Sequence, residues 1–284
     1  MTIWQADLHR PPLTSPSGEP LWELLLCDPD FRFSYGATTP QASVTKHWVT
    51  EQVSLASQRA GGSPDVIHVF RPQALSLLTL GCQPLGIRVE PSRRTSTLHQ
   101  WLRQRAKWYP SQPNAIPVAY NPLHIESPPP VPLPEQLWGD RWGFTALAAA
   151  DFEQTLPYEP IPLRHLPAEL MPSRLGLAST TPLPGIVIDA GRQAMALAQW
   201  LQANHPAWLN AIAGEPDGLI LDAGLCDRWI ITTFNDPDVS RSGQQFQQRK
   251  QASQGLHFLL VRPDDSGMTT TALWLLQQPG KAEG

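Results

Sequence analysis

The stretch VIHVFRPQALSLLTLG, residues 66–81, decides the fold class. Five residues, Val66 to Phe70, form a short apolar run of the kind a buried strand has, and the period then changes. Pro72 stands where proline suits the first turn of a helix. Residues 74–80 continue that helix, and Gly81 is expected to end it. A buried strand running straight into a helix predicts an α/β protein.

The flanks extend this pattern. Upstream, Val44, Trp48, Val49, Val53 and Ala56 recur at helical spacing, which predicts an amphipathic helix over residues 44–59, stopped by Gly61-Gly62. Before it, residues 3–9, 21–27 and 31–35 read as strands, the last alternating Phe31, Phe33 and Tyr35. Downstream, residues 87–89 give a short strand. Thr95 or Ser96 is expected to cap a helix running to about Tyr109. The first domain, residues 1–109, is thus expected to be ββ(β)αβαβα.

Residues 110–136 contain nine prolines and read as a semi-rigid connector. A second domain is expected over 137–279. It has strands near 143–148, 185–188, 218–222 and 229–234, helices over 192–204 and 240–254, and a final hairpin of 256–261 with 271–276. Both strands of that hairpin are apolar on both faces, so they belong in the middle of a covered sheet. The whole is expected to be two α/β domains with mixed β-sheets flanked by helices, joined by a Pro-rich connector.

No apolar run reaches the length of a membrane span, and residues 1–10 lack the pattern of a signal peptide. Cys27, Cys82 and Cys226 are odd in number and far apart, which argues against a disulfide framework. A soluble, intracellular protein is expected. Phosphate-loop, dinucleotide, nucleophile-elbow and zinc-protease motifs are absent, and the eight histidines have no metal-ligand spacing. His257, inside an apolar strand, reads as a satisfied core histidine. Asp7 and Arg10 in Trp-x-x-Asp-x-x-Arg-Pro read as a structural ion pair. The chemistry points to a binding protein with no cofactor or metal, not to an enzyme. A nuclease-like alternative would rest on Asp217, Asp222 and Asp227.

Charge is unevenly placed. Residues 1–109 carry eleven Lys/Arg against eight Asp/Glu, and residues 110–284 carry ten against seventeen. Over residues 66–109 seven basic side chains face only Glu90. Arginine outnumbers lysine 17 to 4, and its planar fork grips phosphate and stacks on bases. Pro91-Ser92-Arg93-Arg94-Thr95 precedes a helix start, whose free N–H groups and dipole favour anions. Arg93 and Arg94 are therefore the expected phosphate grip, with Arg71, Arg103, Arg105 and Lys107 as support. Of Trp101, Trp108 and Tyr109, any that is exposed can stack a base, and Trp108 is the expected one.

Taken in order, several segments are similar to the Tab/Atab family of cyanobacterial and chloroplast RNA-binding proteins. They are Trp4-Gln-Ala-Asp7 with Arg10-Pro11, Leu21-Trp22-Glu23-Leu24, Phe70-Arg71, Pro91-Ser-Arg-Arg-Thr95 with Trp101-Leu102, Leu137-Trp138-Gly139, Gly255-Leu-His-Phe-Leu259 and Trp274-Leu275-Leu276. The likeness spans residues 4 to about 277. It implies binding of AU-rich single-stranded RNA in message leaders. It also implies support of translation of photosystem reaction-centre mRNAs and of photosystem biogenesis, without catalysis. Plant and algal members carry a transit peptide, whereas the first motif here follows Met1 closely, which implies a cyanobacterial protein of the cytoplasm. The alternative partners are translation machinery or photosystem subunits, bound by a protein-binding assembly scaffold.

Overall fold

Alternation along the first strand organises the N-terminal half. The computed structural model describes residues 1–125 and 127–279. They form two units, Met1–Glu126 and Ser127–Gly284. In the first, β1 (Ile3–His9), β2 (Leu21–Cys27), β3 (Ser34–Pro40), β4 (Val66–Val69) and β5 (Arg88–Pro91) make one sheet in the order β3-β2-β1-β4-β5. β1 to β3 pair antiparallel, while β4 and β5 run parallel to β1. Trp4, Ala6 and Leu8 of β1 join the core beneath α1 (Lys46–Ala60) and α2 (Pro72–Cys82). The smaller core on the other face joins Leu25, Cys27 and Phe70 to Leu98 and Leu102 of α3 (Ser96–Trp108).

Three local expectations change. The third strand begins at Ser34, not Phe31. Asp28 accepts from the Phe33 amide at 2.7 Å and Phe31 donates to the Asp28 carbonyl, so a turn holds Phe31 at φ 56°. Gly81 does not end α2 but lies inside it, buried where α2 meets α1. A Cβ there would stand 2.4 Å from Val49 Cγ1, so only glycine lets the helices approach this closely. Gly81→Ala is expected to lower the stability of this unit by about 1–3 kcal/mol, the usual range for overpacking. A urea-unfolding midpoint equal to that of the parent would show that α1 yields instead. Thirdly, the Asp7–Arg10 pair does not form. Arg10 is exposed, and Asp7 pairs with Arg71 just beyond β4. Residues three apart on a strand point to opposite faces.

The proline-rich residues 110–136 do not form one free spacer. Leu13 bridges to Ala115, Asn114 donates to the Thr14 carbonyl at 2.5 Å, and Arg71 binds the carbonyls of Pro122 and His124, all within the first unit. Val131 and Pro132 instead form β6 in the second unit.

The second unit has two sheets. β7 (Arg141–Ala148), β8 (Leu163–His165), β9 (Pro182–Asp189), β13 (Leu256–Arg262) and β14 (Ala272–Gln277) make the order β7-β9-β13-β14-β8. β10 (Pro206–Ile212), β11 (Asp217–Ala223) and β12 (Asp227–Phe234), with β6, make the other. The last hairpin is antiparallel and interior, as its two apolar faces predict. Leu259, Val261, Trp274 and Leu276 enter the core shared with α5 (Ala194–Asn204) and α6 (Pro237–Ala252). Phe258, Leu260, Leu273 and Leu275 enter a second core with Phe152 of α4 (Ala149–Thr155). Strands β8 and β10 and helix α4 have no counterpart in the sequence expectation. Among the described residues no helix is long and apolar enough to cross a membrane.

Candidate functional site

The site is built on the α3 face of the N-terminal sheet. Alternation on β1 that sends Trp4, Ala6 and Leu8 one way sends Gln5, Asp7 and His9 the other. This polar line does not meet water: all three are buried, as is Glu23, the direct cross-strand partner of His9. Gln5 accepts from the Leu98 amide at 2.9 Å, so a strand residue caps α3. The expected cap does not operate, because Thr95 is buried with its hydroxyl 3.1 Å from His99 Nε2.

Buried carboxylates need partners. Asp7, 0 % exposed, accepts Arg71 Nε at 2.9 Å and Nη2 at 3.0 Å. His9 Nδ1 lies 3.2 Å from Asp7, close but poorly aligned for a hydrogen bond. Burial alone would raise the Asp7 carboxyl, but His9 and Arg71 outweigh it and hold the group below its ordinary value. Glu23 is bound by Arg105 and by the Tyr109 hydroxyl, which itself lies 3.2 Å from His9 Nε2. Burial and the Glu23 charge together push the Tyr109 hydroxyl up. Burial, with Arg103 and Arg71 nearby, holds His99 down to about 4, so it is neutral at pH 7.

The seven basic and aromatic residues singled out in the sequence therefore divide. Arg71 and Arg105 face inward and serve the two buried carboxylates. Arg71, expected beside a ligand, is 14 % exposed, with its remaining donors on main-chain carbonyls. Arg94, Arg103 and Lys107 are exposed, and Arg93 is half-buried. Trp108 is 43 % exposed with the Arg105 guanidinium 4.3 Å from its ring centre, while Tyr109 is fully buried. Trp101 is half-buried and meets Phe31 edge-on at 5.5 Å. Phe31 is 42 % exposed. The sequence reading missed it as a surface aromatic by placing it in a strand. Around the helix start, Ser92 accepts from the Arg94 amide and Thr97 donates to the Pro29 carbonyl.

Two of the three acidic residues of the nuclease-like alternative are engaged within the fold. Asp217 binds Ser240 and the Gly214 amide, and Asp222 binds Asn210 and lies 3.6 Å from Arg228. Among the described residues no three His, Cys, Asp or Glu are grouped to hold a metal. His257 is a core histidine: Nε2 accepts the Leu209 amide at 2.9 Å, and burial first, then Lys250, lowers it to about 3.

Two family models match the chain. Residues 3–105 match the N-terminal model, and residues 120–277 the C-terminal domain model, of the RNA-binding protein Tab2/Atab2. A chloroplastic TAB2 homolog from Zea mays is 27 % identical over 281 residues, 96 % of this chain and 70 % of the relative. Its counterpart from Arabidopsis thaliana is 26 % identical over 285 residues, 96 % and 74 % of the two chains. The HTLV-2 integrase catalytic core domain aligns with 40 % of this chain and 74 % of its own at 17 % identity and a TM-score of 0.27.

Proposed function

The chain belongs to the Tab2/Atab2 family of RNA-binding proteins, and from that premise we propose that it binds single-stranded RNA through the outer face of α3. The observation that carries this reading is the division of the basic set. Arg71 and Arg105 neutralise Asp7 and Glu23 from within, while Arg103 and Lys107 carry their charge outward, one turn apart on α3. Arg93 and Arg94 precede the start of the same helix. Trp108, exposed and backed by Arg105, offers a face on which one base stacks. Main-chain and amide groups that read bases are not needed for such a grip, because phosphate contacts position and stacking tolerates any base.

The preferred RNA is AU-rich, in the leaders of messages for photosystem reaction-centre proteins, and the protein supports their translation without turning RNA over. AU-rich strands fit this site because weakly paired segments present single-stranded bases to a stacking surface.

Fluorescence anisotropy with AU-rich and GC-rich single strands across a salt series tests this. Wild type is expected to prefer the AU-rich strand and to weaken with salt. Arg103→Ala/Lys107→Ala is expected to reduce the log–log salt slope by about 1.4, two phosphates at roughly 0.7 each for single strands. Trp108→Ala is expected to lower affinity by about 1–3 kcal/mol with the slope unchanged. An unchanged slope in the double variant would remove α3 as the phosphate grip.

A further inference from the structure

The turn between β2 and β3 places an aromatic ring where no periodicity foretold one. Asp28 clasps that turn by accepting from the Phe33 amide, and the Thr97 hydroxyl of α3 donates to the Pro29 carbonyl. The turn is thus tied to the helix that carries the outward charge. Phe31 sits in it at φ 56°, a left-handed backbone that is uncommon for a bulky side chain. The ring gains little burial in exchange: it is 42 % exposed and meets Trp101 edge-on at 5.5 Å. Residues held in such backbone conformations gather at binding sites.

Helical spacing sets this ring in line with the other exposed aromatic. Trp101, Gln104 and Trp108 stand at i, i+3 and i+7 on α3, one stripe of the helix surface. Seven residues advance about 10.5 Å along the axis, about three steps of a stacked strand at roughly 3.4 Å each. One end of the stripe carries the Phe31–Trp101 pair, the other carries Trp108 backed by Arg105, and Gln104 stands between them. Gln104 is exposed, and among the described residues its side-chain amide makes no hydrogen bond. Its neighbour one turn on is Lys107. Helix α3 carries no acidic side chain, and the exposed Asp30 beside Phe31 is paired with Arg32 at 3.2 Å.

We propose that this stripe reads one adenine in the bound RNA: flanking bases stack on Phe31 and Trp108, and the Gln104 amide meets the edge of a base held between them. The amide presents a carbonyl acceptor and an NH₂ donor side by side. Adenine answers with its N6 donor and N7 acceptor, whereas guanine offers two acceptors, O6 and N7, one of which faces the amide carbonyl without a proton between them. Stacking holds the strand whatever its sequence, and the amide adds discrimination. The proposal rests on the RNA-binding reading of α3. To the phosphate grip of Arg103 and Lys107 it adds a base reader on the adjoining side of the same helix.

The test uses the full chain and two probes that differ in one base. One is a uridine tract with a single central adenosine, and the other has guanosine in its place. Fluorescence anisotropy of wild type is expected to favour the adenosine tract about tenfold, within the range for one bidentate amide contact. Gln104→Leu, which keeps the helix and removes the amide, is expected to bind both tracts alike with its salt slope unchanged. Phe31→Gly, in which glycine suits the left-handed backbone, is expected to weaken both tracts about tenfold. Phe31→Tyr, which keeps the ring, is expected to bind as wild type does. Equal binding of the two tracts by wild type, or a preference that survives in Gln104→Leu, would overturn the adenine reader. The α3 reading would still stand if Arg103→Ala/Lys107→Ala lowered the salt slope. Phe31→Gly binding as tightly as wild type would overturn the Phe31 platform. No binding of either tract by wild type at low salt would overturn both readings together.

Discussion

Arg71→Met is expected to destabilise the N-terminal unit by about 3–5 kcal/mol, the range for removing one partner of a buried ion pair. Asp7 is fully buried and both its oxygens depend on Arg71. Without the guanidinium the carboxylate keeps only the poorly aligned His9 ring, and the carbonyls of Pro122 and His124 lose their donor as well. The pH dependence has a definite sign. The folded Asp7 carboxyl lies below its unfolded value of about 3.9, so its stabilising contribution is present above that pH and is lost on acidification. In the variant the same charge is a burden that protonation relieves. The gap between wild type and variant should therefore narrow as pH falls below about 4. Asp7→Leu/Arg71→Met, which removes both charges, should recover most of the loss. RNA binding by the folded fraction of Arg71→Met should keep the wild-type salt slope, because Arg71 serves the frame and not the phosphate. Urea unfolding that gives a loss below about 1 kcal/mol would mean that solvent screens the pair.

This pair also shows where reading the sequence succeeds and where it stops. Val66 to Phe70 and the helix after it were legible because strand and helix periods differ and Pro72 marks the change. The apolar faces of residues 256–261 and 271–276 announced an interior hairpin for the same reason. What sequence spacing cannot supply is the partner across the fold. Arg71 meets Asp7 across 64 residues and Arg105 meets Glu23 across 82, so both look like surface charge until the sheet brings them together. The outward placement of Arg103, Lys107 and Trp108 was legible because it depends on one helix and its local period. Strand β8, three residues among prolines, has too little length to show a period. The polar helix α6 hides its packing. Gly243 lets Phe144 approach, with a built Cβ 3.4 Å from that ring, and Lys250 takes a core position that hydropathy assigns to solvent.

Lys250 yields the last large effect. Its ammonium is buried, donating to the Leu209 carbonyl at 2.6 Å and to Asn210 Oδ1 at 2.7 Å, with the Phe246 ring 5.5 Å away. Burial lowers the group to about 8, and the Asp222 charge opposes this only in part. The unfolded lysine titrates near 10.4. Between pH 8 and 10.4 the unfolded state therefore holds more protons than the folded state, so stability rises with pH across that window. The displacement corresponds to about 3 kcal/mol at 1.36 kcal/mol per unit. Lys250→Met removes this contribution. At pH 7 the variant loses two hydrogen bonds but also sheds a buried charge, so its stability should lie within about 2 kcal/mol of wild type. By pH 10.5 the wild type should have gained about 3 kcal/mol relative to it. Other alkaline groups cancel in the comparison. The buried thiols of Cys27 and Cys82, pushed up to about 12, weaken both proteins equally as their unfolded counterparts ionise. The step from His257 cannot be confused with this one, since a histidine held at about 3 acts between pH 3 and 6.5. Urea unfolding of both proteins from pH 7 to 10.5 decides the matter. Diverging curves identify Lys250 as a buried cation that the fold tolerates for its two hydrogen bonds, and parallel curves would show that its ammonium reaches water.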